Sequence, residues 1–399
     1  MKNNVSISEG IYIVGVNDRR TSLFENIWPL PEGVSYNCYL IVDEKTVLLD
    51  TVQFGADGSF FERIEAHLGG KPLDYLVVNH MEPDHSGEIE AVIARWPGVK
   101  LIGNVQTRKI TDNYYGDVSS RFIEVNDGDT LELGKHTLQF YLTPWVHWPE
   151  TMMTYETTQR ILFAGDAFGT FGATDGRLID GGENGIAGYL DEMRRYYSNI
   201  VGKYGGMVQK ALAKLINLPV DIICPLHGPV WKEHAAEVVA LYDKWSRCEP
   251  DEAVMVVYAS MYNNTAKMAD YMADIIYSSG VEDVRVYDVS KTHLSYLISE
   301  MWRCKYIVLG SCSYNGNMFP LMEFLCTTVK NYGLKGRSLA IFGTGSWSGG
   351  ALRTLKMFAA DCNWDLMGEP VEVFGQATED KLAALEPLAK AVADKVLCK

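Results

Sequence analysis

The chain has 399 residues, of which 47% are hydrophobic, and a formal charge of −15. Its length exceeds one ordinary core and implies two or three domains. The acidic balance excludes nucleic acid and anionic membranes as expected partners, and no run approaches the ~20 apolar residues that cross a bilayer.

Residues 1–10 lack the apolar core of a signal segment. The chain then reads as strand-rich to about residue 165. A hairpin is expected from 36–42 and 46–50 around the polar turn Asp43-Glu44-Lys45. Residues 73–78 form an apolar-rich run, read as a buried strand. Directly after it comes Asn79-His80-Met81-Glu82-Pro83-Asp84-His85. Two histidines and two carboxylates fill six positions, and Pro83 disfavours a continuing helix, so these side chains are expected on a loop at the strand end. Imidazole with carboxylate is a ligand set for zinc or iron, not for a thiolate-loving metal.

One short loop cannot enclose two metals. His147 follows the apolar run 138–145, Asp166 follows 160–164, and His227 follows 221–226, with Gly or Pro near each. A second hairpin is expected from 151–157 and 160–164, around Thr158-Gln159. A lone histidine on an apolar stretch is usually a core residue. Three ligand-type residues recurring at strand ends, after a ligand-dense loop, read better as the rest of a metal site.

Residues 246–252 form a polar, proline-containing break, and the expected domains are 1–250 and 251–399. From 253 onward strands alternate with helices, as in a doubly wound parallel sheet. The strand 253–258 leads into Ser260-Met261-Tyr262-Asn263-Asn264-Thr265 and a helix over 266–278. A hydroxyl- and amide-rich turn between strand and helix cradles phosphate through backbone N–H groups and the helix N-terminus. It holds no Lys or Arg, unlike a nucleoside-triphosphate loop. Two more polar loops follow strands: Ser311-Cys312-Ser313-Tyr314-Asn315-Gly316-Asn317 after 306–309, and Gly345-Ser346-Trp347-Ser348-Gly349-Gly350 after 338–342. Ligands bind at the carboxyl ends of strands in such sheets, so three loops at three ends are expected to converge on one ligand. Tyr314 and Trp347, aromatics among small residues, suit stacking on a planar ring of that ligand. The eight cysteines are scattered without any Cys-x-x-Cys, which excludes a rubredoxin-type iron site and fits a reducing cytoplasm.

The pattern of residues 80–85, 147, 166 and 227 resembles the metallo-β-lactamase superfamily. Glu82 stands where the hydrolases carry a second histidine, a change that suits iron better than zinc. This variant, with the three loops after residue 250, resembles the flavodiiron proteins (A-type flavoproteins) over nearly the whole chain. The resemblance implies an αββα sandwich followed by a flavodoxin-like domain, with FMN and two non-haem irons. It implies reduction of O2 to water or NO to N2O. His80, Glu82 and His147 would hold one iron, Asp84, His85 and His227 the other, and Asp166 would bridge them. Asn263 stands where flavodoxins usually carry Gly, a substitution that asparagine tolerates in the left-handed region. Tyr196 or Tyr197 would face the metals. Some family members carry a histidine near the N-terminal loop, where this chain reads Leu23-Phe24-Glu25-Asn26. A separate donor, a rubredoxin, is expected to supply electrons. A head-to-tail homodimer, or a dimer of dimers, would bring the flavin of one subunit to the irons of the other. Two alternatives are a dizinc hydrolase with a regulatory flavodoxin module, and an electron carrier with a vestigial metal half.

Overall fold

A computed structural model describes residues 6–55, 59–182 and 185–398. The chain forms two compact units, residues 1–246 and 247–399.

The first unit is a sandwich of two sheets. One has seven strands in the order Ser6–Ser8, Ile11–Ile13, Tyr39–Val42, Thr46–Leu49, Tyr75–Val77, Lys100–Gly103, Phe122–Glu124. The other has five, Thr130–Glu132, Thr137–Leu142, Met152–Glu156, Ile161–Phe163 and Ile222–Cys224. Side chains alternate across a strand, so one set from each sheet points inward. Tyr39, Ile41, Val47, Leu49 and Val77 meet Leu138, Phe140, Met152, Ile161 and Phe163 in one core. Their alternates Leu40, Leu48, Leu76 and Leu101 are equally buried, so the outer face of this sheet is covered too. Helix Ser59–Leu68 buries Phe60, Ile64 and Leu68 at four-residue spacing. Both expected hairpins form: Tyr39 pairs with Leu49 and Thr154 with Phe163. Residues 34–36, by contrast, belong to a separate two-stranded sheet with Val16–Asp18.

The second unit is a parallel sheet in the order Val284–Asp288, Asp251–Ala259, Cys304–Tyr314, Ser338–Gly345, Asp365–Leu366. Val371–Phe374 also pairs in parallel with Ser338–Gly345. Val254, Val256, Val308 and Phe342 pack with Met268, Met272, Leu388 and Val392 of two helices on one face. Met255, Val257, Ile307 and Leu309 are buried on the other. Strand order reverses beside Asp251–Ala259, which places the switch point, and hence the ligand crevice, at its carboxyl end. Two local expectations fail: Gly345, read as loop, ends the strand Ser338–Gly345, and the strand Cys304–Tyr314 is longer than expected. Residues 311–314, read as loop, continue the strand, which turns at Asn315-Gly316 and pairs back with Asn317–Met318. Both turn residues have positive φ (48° and 76°), which an Asn-Gly hairpin turn requires.

Among the described residues, no helix is long and apolar enough to cross a membrane.

Candidate functional site

Asp50, at the end of strand Thr46–Leu49, fixes the start of the histidine-carboxylate segment. It accepts the backbone N–H of Asn79 (2.8 Å) and His80 (3.1 Å) and the Asn79 amide (2.8 Å). Thr154 Oγ1 then donates to Asn79 Oδ1 at 2.6 Å, which ties the segment to the second sheet. Pro83 opens a one-turn helix, Pro83–Ser86, where a loop was expected. Proline suits the first helical position because its missing N–H would have no partner there. The turn presents Asp84 and His85 beyond Glu82.

Seven side chains from four chain segments then converge as two donor groups, His80-Glu82-His147-Asp166 and Asp84-His85-His227. In the first, His147 Nε2 lies 3.0 Å from both Glu82 Oε2 and Asp166 Oδ2, and His80 Nε2 lies 3.2 Å and 3.5 Å from the same two oxygens. In the second, the Nε2 atoms of His85 and His227 face each other at 2.9 Å, with Asp84 Oδ2 at 3.2 Å and 3.3 Å. Asp166 Oδ1 lies 3.1 Å from His85 Nε2, so this one carboxylate turns an oxygen to each group.

The ring orientations are fixed from behind. His80 Nδ1 shares a proton with Glu150 Oε1 at 3.0 Å, and His227 Nδ1 donates to the Ser35 carbonyl at 2.8 Å. Both bonds leave Nε2 aimed inward, as in carboxylate–histidine–metal arrangements. Burial disfavours charge on His85 and His147, yet the neighbouring carboxylates outweigh it and push them up to about 10 and about 9. Asp166 is held well below the carboxylate range: burial raises it, and the His85 and His80 charges overcome that. Protons thus balance the cluster where a cation could take their place. Asp84 Oδ2 and Asp166 Oδ1 meet imidazole Nε2 atoms, whereas Asp84 Oδ1 is buried and accepts no hydrogen bond. A buried carboxylate oxygen without a partner is costly unless a cation meets it. Four imidazoles and three carboxylates, with no thiolate, fit two irons.

Tyr196 packs on the His227 ring (centroids 5.4 Å apart), whereas Tyr197 packs edge-on against Tyr242 and tilted against Trp245, at 4.9 Å and 5.5 Å. Glu82 and Asp84 open onto a cavity of about 420 Å³ that Glu25, Tyr36 and Gln53 also line. Glu25 accepts the Trp28 indole N–H at 2.9 Å and occupies the segment where a histidine is absent. Sequence reasoning missed Asp50, Glu150, Ser35 and Tyr36. Asp50 bore the mark that singled out Asp166, an acid just after an apolar strand, and Glu150 lies three residues beyond His147. The Ser35 carbonyl has no side-chain signal.

In the second unit the three polar loops meet. Thr265 Oγ1 and Thr344 Oγ1 are 2.8 Å apart, and the Ala351 N–H donates to Ser313 Oγ at 3.2 Å. A Cβ at Gly350 would lie 2.3 Å from the Gly316 carbonyl oxygen, so the third loop can approach the second only as glycine. Helix Asn264–Ser278 begins after Asn263, which sits in the left-handed region (φ 67°) and makes no side-chain cap. The first N–H groups of that helix are thereby left for an anion. Ser260 Oγ is buried without a partner in the same turn. Ser311 and Cys312 lie buried in the strand, while Tyr262 and Trp347 are 86% and 91% exposed and Tyr314 and Met261 are partly exposed. Loops that close on one another, an uncapped helix start and exposed aromatics fit a flavin mononucleotide.

The family model described as ODP family beta lactamase matches residues 34–228, and the flavodoxin model matches residues 256–382. The chain is 31% identical to the anaerobic nitric oxide reductase flavorubredoxin of Vibrio vulnificus, over 90% of this chain and 74% of that protein. Among solved structures it matches the rubredoxin oxygen:oxidoreductase of Desulfovibrio gigas with a TM-score of 0.93 at 27% identity, covering 99% of this chain and 98% of that one. It also matches the flavodiiron protein of Giardia intestinalis with a TM-score of 0.92 at 26% identity, over 98% and 96% of the two chains.

Proposed function

The chain belongs to the flavodiiron protein family, and from that premise we infer that it is an oxidoreductase reducing O2 to water, NO to N2O, or both. The observation that carries this reading is the pair of donor groups that share Asp166. His80, Glu82 and His147 are proposed to hold one iron, Asp84, His85 and His227 the other, with Asp166 between them. When bound, two irons and a flavin supply the electron storage and relay that reduction of O2 or NO requires. Glu150 and the Ser35 carbonyl keep two imidazoles in the tautomer that binds metal. Phe24 and Tyr196 pack against the His227 ring, and Phe171 packs against both of them, so aromatic rings shield His227 from water. The cavity at Glu82 and Asp84, which Phe24 also lines, admits the substrate.

Residues 260–265, 311–317 and 345–350 are proposed to hold FMN, with N–H groups rather than cations on its phosphate. The exposed Tyr314 and Trp347 are proposed to meet the ring and the incoming donor. That donor is proposed to be a rubredoxin, which the name of the Desulfovibrio gigas relative supports. The proposed working form is a head-to-tail homodimer, or a dimer of such dimers, in the cytoplasm, where eight free cysteines are at home. The hydrolase alternative falls away because Glu82 replaces an imidazole and the named relatives are reductases.

The test is metal and flavin quantification, followed by anaerobic stopped-flow reduction. About two irons and one FMN per chain are expected, the complement these cofactors require. Reduced rubredoxin should bleach the flavin far faster than NADH alone, and addition of O2 or NO should restore its colour. A colourless protein loaded with zinc would sink the reading, and equally fast reduction by NADH would remove rubredoxin from it.

A further inference from the structure

Tyr36 stands at the metal cluster without being one of its donors. It ends strand Val34–Tyr36 and is 2% exposed. Its ring meets His85 and His227 edge-on, with centroids 6.2 Å and 5.7 Å away, so its contacts lie with the Asp84-His85-His227 group. It also lines the cavity onto which Asp84 and Glu82 open. No hydrogen bond joins the Tyr36 hydroxyl to either Asp84 oxygen, so the hydroxyl is not spent on that carboxylate. A phenol is protonated at neutral pH and so stands ready as a donor. Its place is tied to the cluster through its own chain: the preceding Ser35 carbonyl accepts the His227 Nδ1–H, and Ser35 Oγ accepts the Gly228 N–H at 2.6 Å. Tyr196 differs, since its hydroxyl is fully buried and it does not line this cavity.

We propose that the Tyr36 hydroxyl donates a hydrogen bond to the small ligand that enters this cavity and binds at the Asp84-His85-His227 group. The inference rests on the diiron reading above. It makes the two metal positions unequal, because the Tyr36 ring meets His85 and His227 and so sets its hydroxyl beside the Asp84-His85-His227 position. An oxygen or nitrogen atom gathering negative charge there meets an oriented N–H- or O–H-type dipole, here a phenol held in place before the ligand arrives.

Azide is the probe, a small anion whose antisymmetric stretch reports hydrogen bonding. Three iron-loaded proteins are compared: wild type, Tyr36→Phe, and a protein with 3-fluorotyrosine encoded at position 36. A hydrogen bond to a charged acceptor is strong enough that Tyr36→Phe should bind azide roughly tenfold more weakly. Its azide stretch should also move, with the iron content unchanged. The more acidic fluorotyrosine should move the stretch the opposite way. Equal affinity and an unmoved stretch in Tyr36→Phe would overturn the proposal. Should that variant lose iron, the fluorotyrosine protein decides, and an unmoved stretch there overturns it equally. A wild-type protein that takes up no iron removes the diiron reading first and this inference with it.

Discussion

At the scale of single residues, Glu150 decides which nitrogen of His80 faces the cluster. Its Oε1 takes both the His80 Nδ1 proton and the Met81 N–H, the latter at 2.8 Å, and both side chains are buried. Removing it frees the ring to turn and leaves a buried backbone donor unpaired. Glu150→Ala should therefore lower iron affinity roughly 10–100-fold, the usual effect of losing such a support. Competition with a chelator measures this, and flavin content should not change. Asn263 poses a different question, of backbone rather than charge. At φ 67° it already sits where glycine is at ease. Asn263→Gly should be neutral or slightly stabilising, whereas Asn263→Val should cost about 1–2 kcal/mol, because a branched side chain is crowded in the left-handed region. Urea unfolding followed through the flavin signal separates the two. Loss of stability in Asn263→Gly would mean that the asparagine side chain supports the loop in some further way.

Elements are held by caps and pairs remote in sequence. Asp180 accepts the N–H groups of Lys232, Glu233 and His234 at 2.6, 3.0 and 2.8 Å, just ahead of helix Ala235–Ser246 and five residues beyond His227. Asp180→Ala should destabilise the first unit by about 2 kcal/mol, near the upper end for a lost helix cap. A denaturation curve with an unchanged midpoint would contradict this. The His136–Glu156 pair, 3.1 Å apart, links the edge hairpin to strand Met152–Glu156. His136 is raised above 6.5 by its hydrogen bond to Glu156, with Asp43 and Glu9 adding to it, so its contribution is full below 6.5 and fades as pH rises through the folded value. Burial raises Glu156, but His136 and the Gln159 and Thr158 N–H groups lower it further, so its contribution is present above 4.5 and fades as pH falls through its folded value. The stability gap between wild type and His136→Gln should thus be widest between 4.5 and 6.5 and narrow on either side. A gap independent of pH would refute the pairing. The hairpins were legible in sequence because alternation and polar turns mark them locally. The strand that runs through Tyr314 was misread although its Asn315-Gly316 turn was in plain view, since serine and cysteine looked more like loop than strand. Asp180, Asp50 and Glu150 stayed hidden because their partners, much of them backbone, lie elsewhere in the chain.

The whole molecule carries two kinds of chemistry in two units, each built around its own apolar core. His80, His147, Asp166 and His227 hang from strand ends of the sandwich, and the polar loops hang from strand ends of the parallel sheet. Among the described residues, the donors of the metal cluster belong to the first unit, and the loop contacts Thr265–Thr344 and Ser313–Ala351 to the second. Loss of one site should therefore leave the other standing. Asp166 is the sharpest place to ask, because it alone turns an oxygen to each donor group and has no solvent access. Asp166→Ala removes the shared ligand from both positions at once and leaves the four imidazoles crowded without their central anion. The variant should bind little iron yet keep its full complement of FMN. Iron analysis, flavin absorbance and calorimetry on the same preparation test this together. The transition belonging to the first unit should fall in temperature, while the flavin-linked transition stays where it is. Loss of flavin in step with iron would mean that the units do not fold independently, and that the break near residue 250 is no boundary at all.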